Sequence, residues 1–479
     1  MKPMEILDSS SGLTSSSSPV ENRRYNIIMR MGIICFILIL LLNWVYSDND
    51  MNDIPSLQIG QVYESFTASQ VLATCTLSLN NLDSDKEVTY LNPSQLLMPA
   101  PKSIIYEGTT IKSSSIYTIG RNVRFVYNLS IYNDQNTYML VKQYIELFCF
   151  NANSNSNSTK KKKTTVINID MKTLSSGELF NENENKRIEE YDIKIVNDLE
   201  ISIVANTIIG IKNAITSTLI QLFTLPKQTE LQLESLPLII NDYPKYHWRG
   251  IMIDVARHYI PVTLLKRSID AMQISKLNVL HLHLTDSQSF PILLDDIGTL
   301  KLSLLSKLGS FKNDNDNDND NDINIYTKSD LKDLVNYAKN RGIDIVPEID
   351  VPAHTYSWGK AFSNILVNCD SIAKSAQSPL DIYSLDPTNP VTYKVIEEVL
   401  KQISEIFPFE YLHIGGDELD FKCWQTSSNI KKYISDNKIT YKDLLKEFET
   451  RIFLIVNSLN RKPIVWQGIT DSNSLPDIK

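Results

Sequence analysis

The spacing of hydrophobic positions changes along the chain. Short apolar runs predict buried strands at Arg249–Val255 (RGIMIDV), Asn278–Leu284 (NVLHLHL), Asp344–Asp350 (DIVPEID), Tyr411–Gly416 (YLHIGG) and Pro463–Gly468 (PIVWQG). Between them, apolar residues at helical spacing predict helices over Val262–Lys276, Lys328–Asn340, Val391–Phe407 and Tyr441–Leu459. Apolar strands alternating with helices imply parallel βα units in an α/β fold, and either a doubly wound sheet or a (β/α)8 barrel carries this pattern. No glycine-rich phosphate loop follows the first strand, which weakens the dinucleotide-binding version.

Upstream the pattern is mixed. Residues 47–95 give no clear reading. Over 96–235 the sequence predicts a separate α+β accessory domain. Its expected strands lie within Tyr117–Tyr132, at Thr164–Met171 (TTVINIDM), and at Asp192–Ala205, where two are joined near Asn197 and Asp198. Helical spacing is expected for Thr137–Phe150 and Ile209–Phe223. The run NDNDNDNDND at 313–322 has nothing to bury and is expected to be a disordered insert; it lacks the Gly and Glu of a calcium loop.

The N-terminus is expected to lie outside the fold. A polar, Ser-rich tail (1–30) precedes an apolar segment at 31–46 flanked by Arg23, Arg24 and Arg30, the pattern of a secretory signal or signal anchor. The apolar run is shorter than the roughly 20 residues that usually span a bilayer. A lumenal body is expected behind it, with membrane contact only through this segment. The sequons at Asn128 and Asn157 fit that placement as glycosylation sites.

Composition narrows the possibilities. The chain has 479 residues, 42% of them hydrophobic, which is material for two or three domains of about 100–200 residues each. A formal charge of −9 argues against nucleic acid as a partner. The basic block Lys160–Lys163 sits in a polar stretch and reads as a solvated loop. Of the five cysteines, Cys35 lies in the apolar segment, and Cys75, Cys149, Cys369 and Cys423 can pair in an oxidising compartment. None has zinc-ligand spacing, so no metal site is expected.

In parallel βα folds the chemistry gathers at the C-terminal strand ends. Arg257 and His258 follow the first strand, Asp286 and Gln288 the second, Asp350 and His354 the third, and Asp417 and Glu418 the fourth; Trp466 lies in the fifth. Polar, charged or aromatic groups at five successive strand ends read as a site. Adjacent carboxylates suppress each other's ionisation, so one of the pair is expected to have a raised pKa, giving a proton donor beside a persistent anion. That combination suits hydrolysis of an acetal, and an indole offers an apolar face to a sugar ring.

With those residues in view, the sequence resembles the family 20 glycoside hydrolases, the β-N-acetylhexosaminidases, and within them the lysosomal type. HIGGDE (413–418) looks like that family's signature. RGIMIDVARHYIP (249–261), LNVLHLHLTDSQSFP (277–291), EIDVPAHTYSW (348–358) and VWQ (465–467) match further blocks in order. LMPAPKSIIYEG (97–108) looks like the start of its accessory domain.

The resemblance implies a (β/α)8 barrel and retaining hydrolysis of terminal N-acetylhexosamine without a cofactor, the substrate's own acetamido oxygen serving as nucleophile. It implies that Glu418 is the general acid and base, and that Asp417 orients the acetamido group. Arg257, Asp286, His354 and Trp466 are substrate-binding or supporting residues, and Cys369–Cys423 is a disulfide. It also implies a homo- or hetero-dimer and a lysosomal or lumenal location. Family members continue past VWQ, so the barrel at 246–479 is expected to be incomplete, with about five βα units. The rival expectation is a truncated, catalytically impaired member that binds glycan or regulates a partner.

Overall fold

The computed structural model describes residues 188–197, 200–219, 237–312 and 324–467. It also describes strands at 63–67, 70–76, 103–106, 117–119, 122–128, 164–171 and 231–233. The expectations for 1–30 and 31–46, the Thr137–Phe150 helix, the 313–322 insert, the Asn157 sequon and the chain past 467 lie outside these residues. Among the described residues no helix is long and apolar enough to cross a membrane.

The N-terminal part is built on an eight-stranded sheet. Its strands are β1 (Tyr63–Thr67), β2 (Gln70–Thr76), β3 (Ser103–Tyr106), β5 (Asn122–Asn128), β6 (Thr164–Met171), β7 (Tyr191–Asn197), β8 (Glu200–Ala205) and β10 (Leu238–Asp242), in the order β1-β2-β5-β6-β8-β7-β10-β3. Two further strands, β4 (Tyr117–Ile119) and β9 (Leu231–Leu233), pair with each other. The sheet therefore takes in residues on both sides of the 96–235 span read from the sequence: β1 and β2 before it and β10 after it. Asn128 closes β5.

Alternation decides which face of this sheet is covered. Ile193 and Ile195 of β7, Ile201 and Ile203 of β8, and Leu238 and Ile240 of β10 are fully buried. A helix begins at Ile208–Lys212, capped by the Thr207 hydroxyl, and continues as a π-helix over Asn213–Leu219. The helical spacing expected from Ile209 is met as far as Leu219, with the last seven residues in π-helical form; residues 220–223 lie outside the described ones. Buried Ile211, Ala214, Ile215 and Leu219 of this helix supply apolar cover. Lys212 Nζ donates to Arg341 O (2.8 Å) and Ser217 Oγ to Gln273 O (3.1 Å), which ties this helix to the next part of the chain.

From residue 250 the chain forms a second sheet of five strands in sequence order. They are β11 (Gly250–Asp254), β12 (Val279–Thr285), β13 (Asp344–Ile349), β14 (Tyr411–His413) and β15 (Lys462–Ile464), with all neighbours parallel. The connections carry helices α1 (Val262–Ile274), α2 (Ser303–Gly309), α3 (Lys328–Lys339), α4 (Pro390–Ile406), α5 (Ser428–Asn437) and α6 (Tyr441–Ser458). α3 and α6 each start on a Thr–Asp capping box, at Thr327–Asp330 and Thr440–Asp443. The helices turn apolar stripes toward the sheet: Val395, Ile396, Val399, Leu400, Ile403 and Ile406 of α4 are buried in one core with Leu280, Leu282 and Leu284 of β12. Helix α2 is an element the periodicity did not predict.

Strands β14 and β15 are shorter than expected. β14 stops at His413 because Gly415 and Gly416 take φ of +63° and +94° and turn the chain out of the sheet. β15 stops at Ile464, so Trp466 lies beyond the strand rather than in it, with its amide N donating to Gly415 O at 3.0 Å.

Candidate functional site

The leucines of β12 face the helices, so its alternate residues His281 and His283 fall on the opposite face of the strand. Register then aligns a polar row across the sheet. Asp254 pairs with His283, His283 with Glu348, and Glu348 with His413. Neither these histidines nor Glu348 stands among the strand-end candidates of the sequence. The i, i+2 spacing in HLH and in EID was the available signal.

Glu348 is fully buried and sits at the centre of this row. Its Oε2 lies 2.6 Å from His281 Nε2 and 2.9 Å from His283 Nδ1. Its Oε1 accepts from Trp466 Nε1 at 2.8 Å and lies 3.2 Å from His413 Nδ1. His413 Nδ1 is also the acceptor for the Gly415 amide at 3.1 Å. An amide proton can only be donated, so a neutral His413 carries its own proton on Nε2. The rings of His281 and His413 stack at 4.6 Å between centroids, and Trp466 lies 4.7 Å from His413. Burial would raise the Glu348 pKa, but the hydrogen bonds from His281 and His283 outweigh it and hold the carboxyl well below the usual range.

Asp286, also fully buried, is the second hub. Oδ2 lies 2.9 Å from His283 Nε2 and 2.7 Å from Arg257 Nη2. Oδ1 accepts the Ser287 amide at 2.6 Å and lies 3.3 Å from His354 Nδ1. Burial alone would raise its pKa; hydrogen bonds from His283 and His354 pull it down to about 2. His283 faces a carboxylate at each ring nitrogen, and a ring can serve both only with two N–H groups. Burial would lower its pKa, yet Asp286 and Glu348 push it up to about 10. His354 stands between Asp286 and Glu418, whose Oε2 is 3.4 Å from His354 Nε2. Burial again opposes the charge, and Asp286 and Asp350 outweigh it, with a pKa of about 9. A line of alternating sign thus runs from buried Glu348 through His283, Asp286 and His354 to Glu418, whose side chain is 73% exposed.

The HIGGDE turn places the two adjacent acids differently. Glu418 takes φ +55° and projects outward, while Oδ1 of Asp417 is buried with no hydrogen-bond partner among the described residues. His354 likewise takes φ +56°. Left-handed backbone at two bulky side chains facing one another is unusual and is found where a site holds it in place. Asp350 lies beneath the turn. Burial lifts its pKa well above the ordinary value, and the charge of Asp417 adds to this. Asp350 Oδ1 accepts the Gly416 amide at 2.9 Å, and a Cβ on Gly415 would come within 1.8 Å of the same oxygen.

Arg257 is half exposed at the rim, its Nη1 donating to Asp254 Oδ2 (2.8 Å) and its Nη2 paired with Asp286. Gln288 donates to Asp381 at 3.1 Å beside the site, whereas His258 is exposed, with its Nδ1 3.2 Å from the Arg257 carbonyl oxygen. Cys369 and Cys423 are joined as a disulfide with Cα atoms 5.2 Å apart, buried with Trp424, Ile430 and Leu444. Several His and carboxylate sets, such as His281, Glu348 and His413, are close enough to hold an ion. In that set the Glu348 oxygens already face the His281, His283 and Trp466 donors, so the arrangement is accounted for by hydrogen bonding.

Residues 246–478 match the catalytic domain of glycosyl hydrolase family 20. A human protein named beta-hexosaminidase subunit beta is 35% identical over 238 residues, which is 49% of this chain and 40% of that one. Beta-hexosaminidase 1 of Arabidopsis thaliana is 33% identical over 286 residues, 58% of this chain and 48% of its own. The chain thus spans less than half the length of these curated relatives. Among solved structures, a chitobiase from Flavobacterium johnsoniae superposes with a TM-score of 0.58 at 25% identity, covering 79% of this chain and 54% of that one. The N-acetyl-beta-hexosaminidase of Streptomyces plicatus, solved with Thio-NAglucal, gives 0.57 at 25%, covering 80% and 67%. With the HIGGDE turn and its buried partners at the ends of successive parallel strands, residues 246–478 are similar in sequence and fold to the catalytic domain of glycosyl hydrolase family 20.

Proposed function

We propose that the chain is a β-N-acetylhexosaminidase, releasing terminal non-reducing N-acetylhexosamine from glycans with retention of configuration. One observation carries this reading: the exposed Glu418 carboxylate stands at the end of the His354–Asp286 pair, next to an Asp417 whose buried Oδ1 has no donor among the described residues. In the proposed cycle Glu418 enters protonated from solvent; the substrate's acetamido oxygen attacks the anomeric carbon, the glycosidic bond breaks, and Glu418 gives its proton to the leaving oxygen and becomes the carboxylate facing His354. The cyclic oxazolinium that forms is opened by water, which Glu418 deprotonates. Asp417 accepts the acetamido N–H at its free oxygen and stabilises the positive charge that develops there. A protein nucleophile on the opposite face of the sugar is not required, so two acids adjacent in sequence suffice. Arg257, at the rim, offers sugar hydroxyls a forked donor, and Trp466 walls the acetamido pocket.

The same proposal takes β11–β15 as five strands of a (β/α)8 barrel and the eight-stranded sheet as an accessory domain. The basic-flanked apolar segment at 31–46, the sequons at Asn128 and Asn157, and the disulfide support a lumenal, lysosomal-type compartment, with the protein acting as a homo- or hetero-dimer. The test is hydrolysis of a chromogenic N-acetylglucosaminide by the purified full chain beside its Glu418→Gln variant. Turnover by the parent and loss of it in the variant support the reading; no turnover by either sinks it.

A further inference from the structure

Glu348 is not among the acids that face a sugar. It is fully buried in the row Asp254–His283–Glu348–His413 and binds two things the proposed reaction uses. Oε1 accepts the indole N–H of Trp466 at 2.8 Å. Trp466 lies past the end of β15, and this hydrogen bond, with the His281 and His413 rings at 5.5 and 4.7 Å, holds the plane of the indole. Oε2 lies 2.9 Å from His283 Nδ1, while the opposite nitrogen of that ring lies 2.9 Å from Asp286, the residue that aims His354 at Glu418.

We propose that Glu348 is a positioning residue with two outputs: through Oε1 it sets the plane of the Trp466 wall, and through Oε2 and His283 it orients the Asp286–His354 pair behind Glu418. This rests on the hydrolase reading above. Titratable groups from every neighbouring element face this relay: His281 and His283 on β12 and His413 on β14 lie against Glu348, Asp350 after β13 interacts with it, and Asp254 on β11 and Asp286 after β12 act on His283. Of these, the two-sided contact of His283 is the one that transmits, because a ring bound at both nitrogens cannot rotate without breaking a hydrogen bond at a buried carboxylate. Losing such a bond leaves an unsatisfied charge and is costly.

Two variants separate the two outputs. Glu348→Gln keeps the shape and removes the charge. The His283 ring, followed by ¹⁵N–¹H spectra and assigned by its loss in His283→Gln, should then titrate at least about one pH unit lower than in the parent. The alkaline limb of kcat for a chromogenic N-acetylglucosaminide should move down with it. Glu348→Asp keeps the charge but withdraws the oxygens by one methylene. It should raise KM several-fold through the released indole, as Trp466→Phe should, with the His283 titration nearly in place. An unchanged His283 titration in Glu348→Gln, or a KM unchanged in both Glu348→Asp and Trp466→Phe, overturns the proposal. The ring titration needs no turnover, so an inactive parent would refute the hydrolase reading while leaving the hub itself tested.

Discussion

His354 and Glu418 face each other across the mouth of the sheet, Nε2 to Oε2 at 3.4 Å, and both hold left-handed backbone, at φ +56° and +55°. The imidazole is buried and the carboxylate exposed. An exposed carboxylate thus reaches solvent while the imidazole beside it is held by Asp286 below. Two loops from different strands each place one member of this pair.

Replacing Glu418 by Gln leaves the shape of the turn and removes the proton that the side chain can give. Its kcat for a chromogenic N-acetylglucosaminide should fall by about 10²–10⁴-fold, the usual share of general acid–base catalysis. Because the side chain is largely exposed, the melting temperature should stay within a degree or two of the parent. A variant that is inactive because it is unfolded would contradict this.

Asp417→Asn should behave differently. The buried, unpartnered oxygen becomes half of an amide, which loses the charge that stabilises the oxazolinium and can present N–H to N–H. A fall in kcat larger than any rise in KM is the expected pattern, read by full Michaelis curves. An effect on KM alone would remove Asp417 from the transition state.

Gly415→Ala tests the turn itself. The new Cβ would approach Asp350 Oδ1 to 1.8 Å at a φ of +63°, so both a clash and a strained backbone oppose it. A loss of about 2–4 kcal/mol is expected in denaturant unfolding. Since Asp350 also holds the Gly416 amide, activity should fall further than stability alone explains.

Stability should decline as pH rises from about 5 to 9. The folded pKa values of His283 and His354, near 10 and 9, lie above the ordinary imidazole value of about 6.5. Their contribution is therefore complete below about 6.5 and is lost as pH climbs through 9 to 10. Asp350 works in the same direction: its raised pKa makes folding costlier once the unfolded carboxyl ionises. Asp286, lowered to about 2, loses its contribution only below about pH 4. Thermal melts across this range check the sign, and a melting temperature rising toward pH 9 would contradict it.

The Cys369–Cys423 bond closes a loop of 54 residues, and the chain-entropy relation gives about 4 kcal/mol for a loop of that size. Because the sulfurs are buried with Trp424 and Leu444, a double Cys→Ser variant should lose at least that much in denaturant unfolding. It should also gain sensitivity to proteases near 369–423. A variant as stable as the parent under oxidising conditions would show that the bond does not form in solution.

Much of this was written in local pattern. The five strands and the helices α1, α3, α4 and α6 follow from the spacing of apolar residues, because each needs one buried face and its period records which one; the shorter α2 and α5 do not. Arg257, Asp286, His354, Asp417 and Glu418 could be picked out because parallel strands deliver their C-terminal ends to one side. What the sequence left open depended on distance between strands. That Glu348 gathers His281, His283 and Trp466 is decided by register across β12, β13 and β14 and by the loop past β15, which no local pattern encodes. The raised pKa of Asp350 is of the same kind: its burial beneath the HIGGDE turn is set by the packing of β13 against β14, and that loss of water is what lifts it.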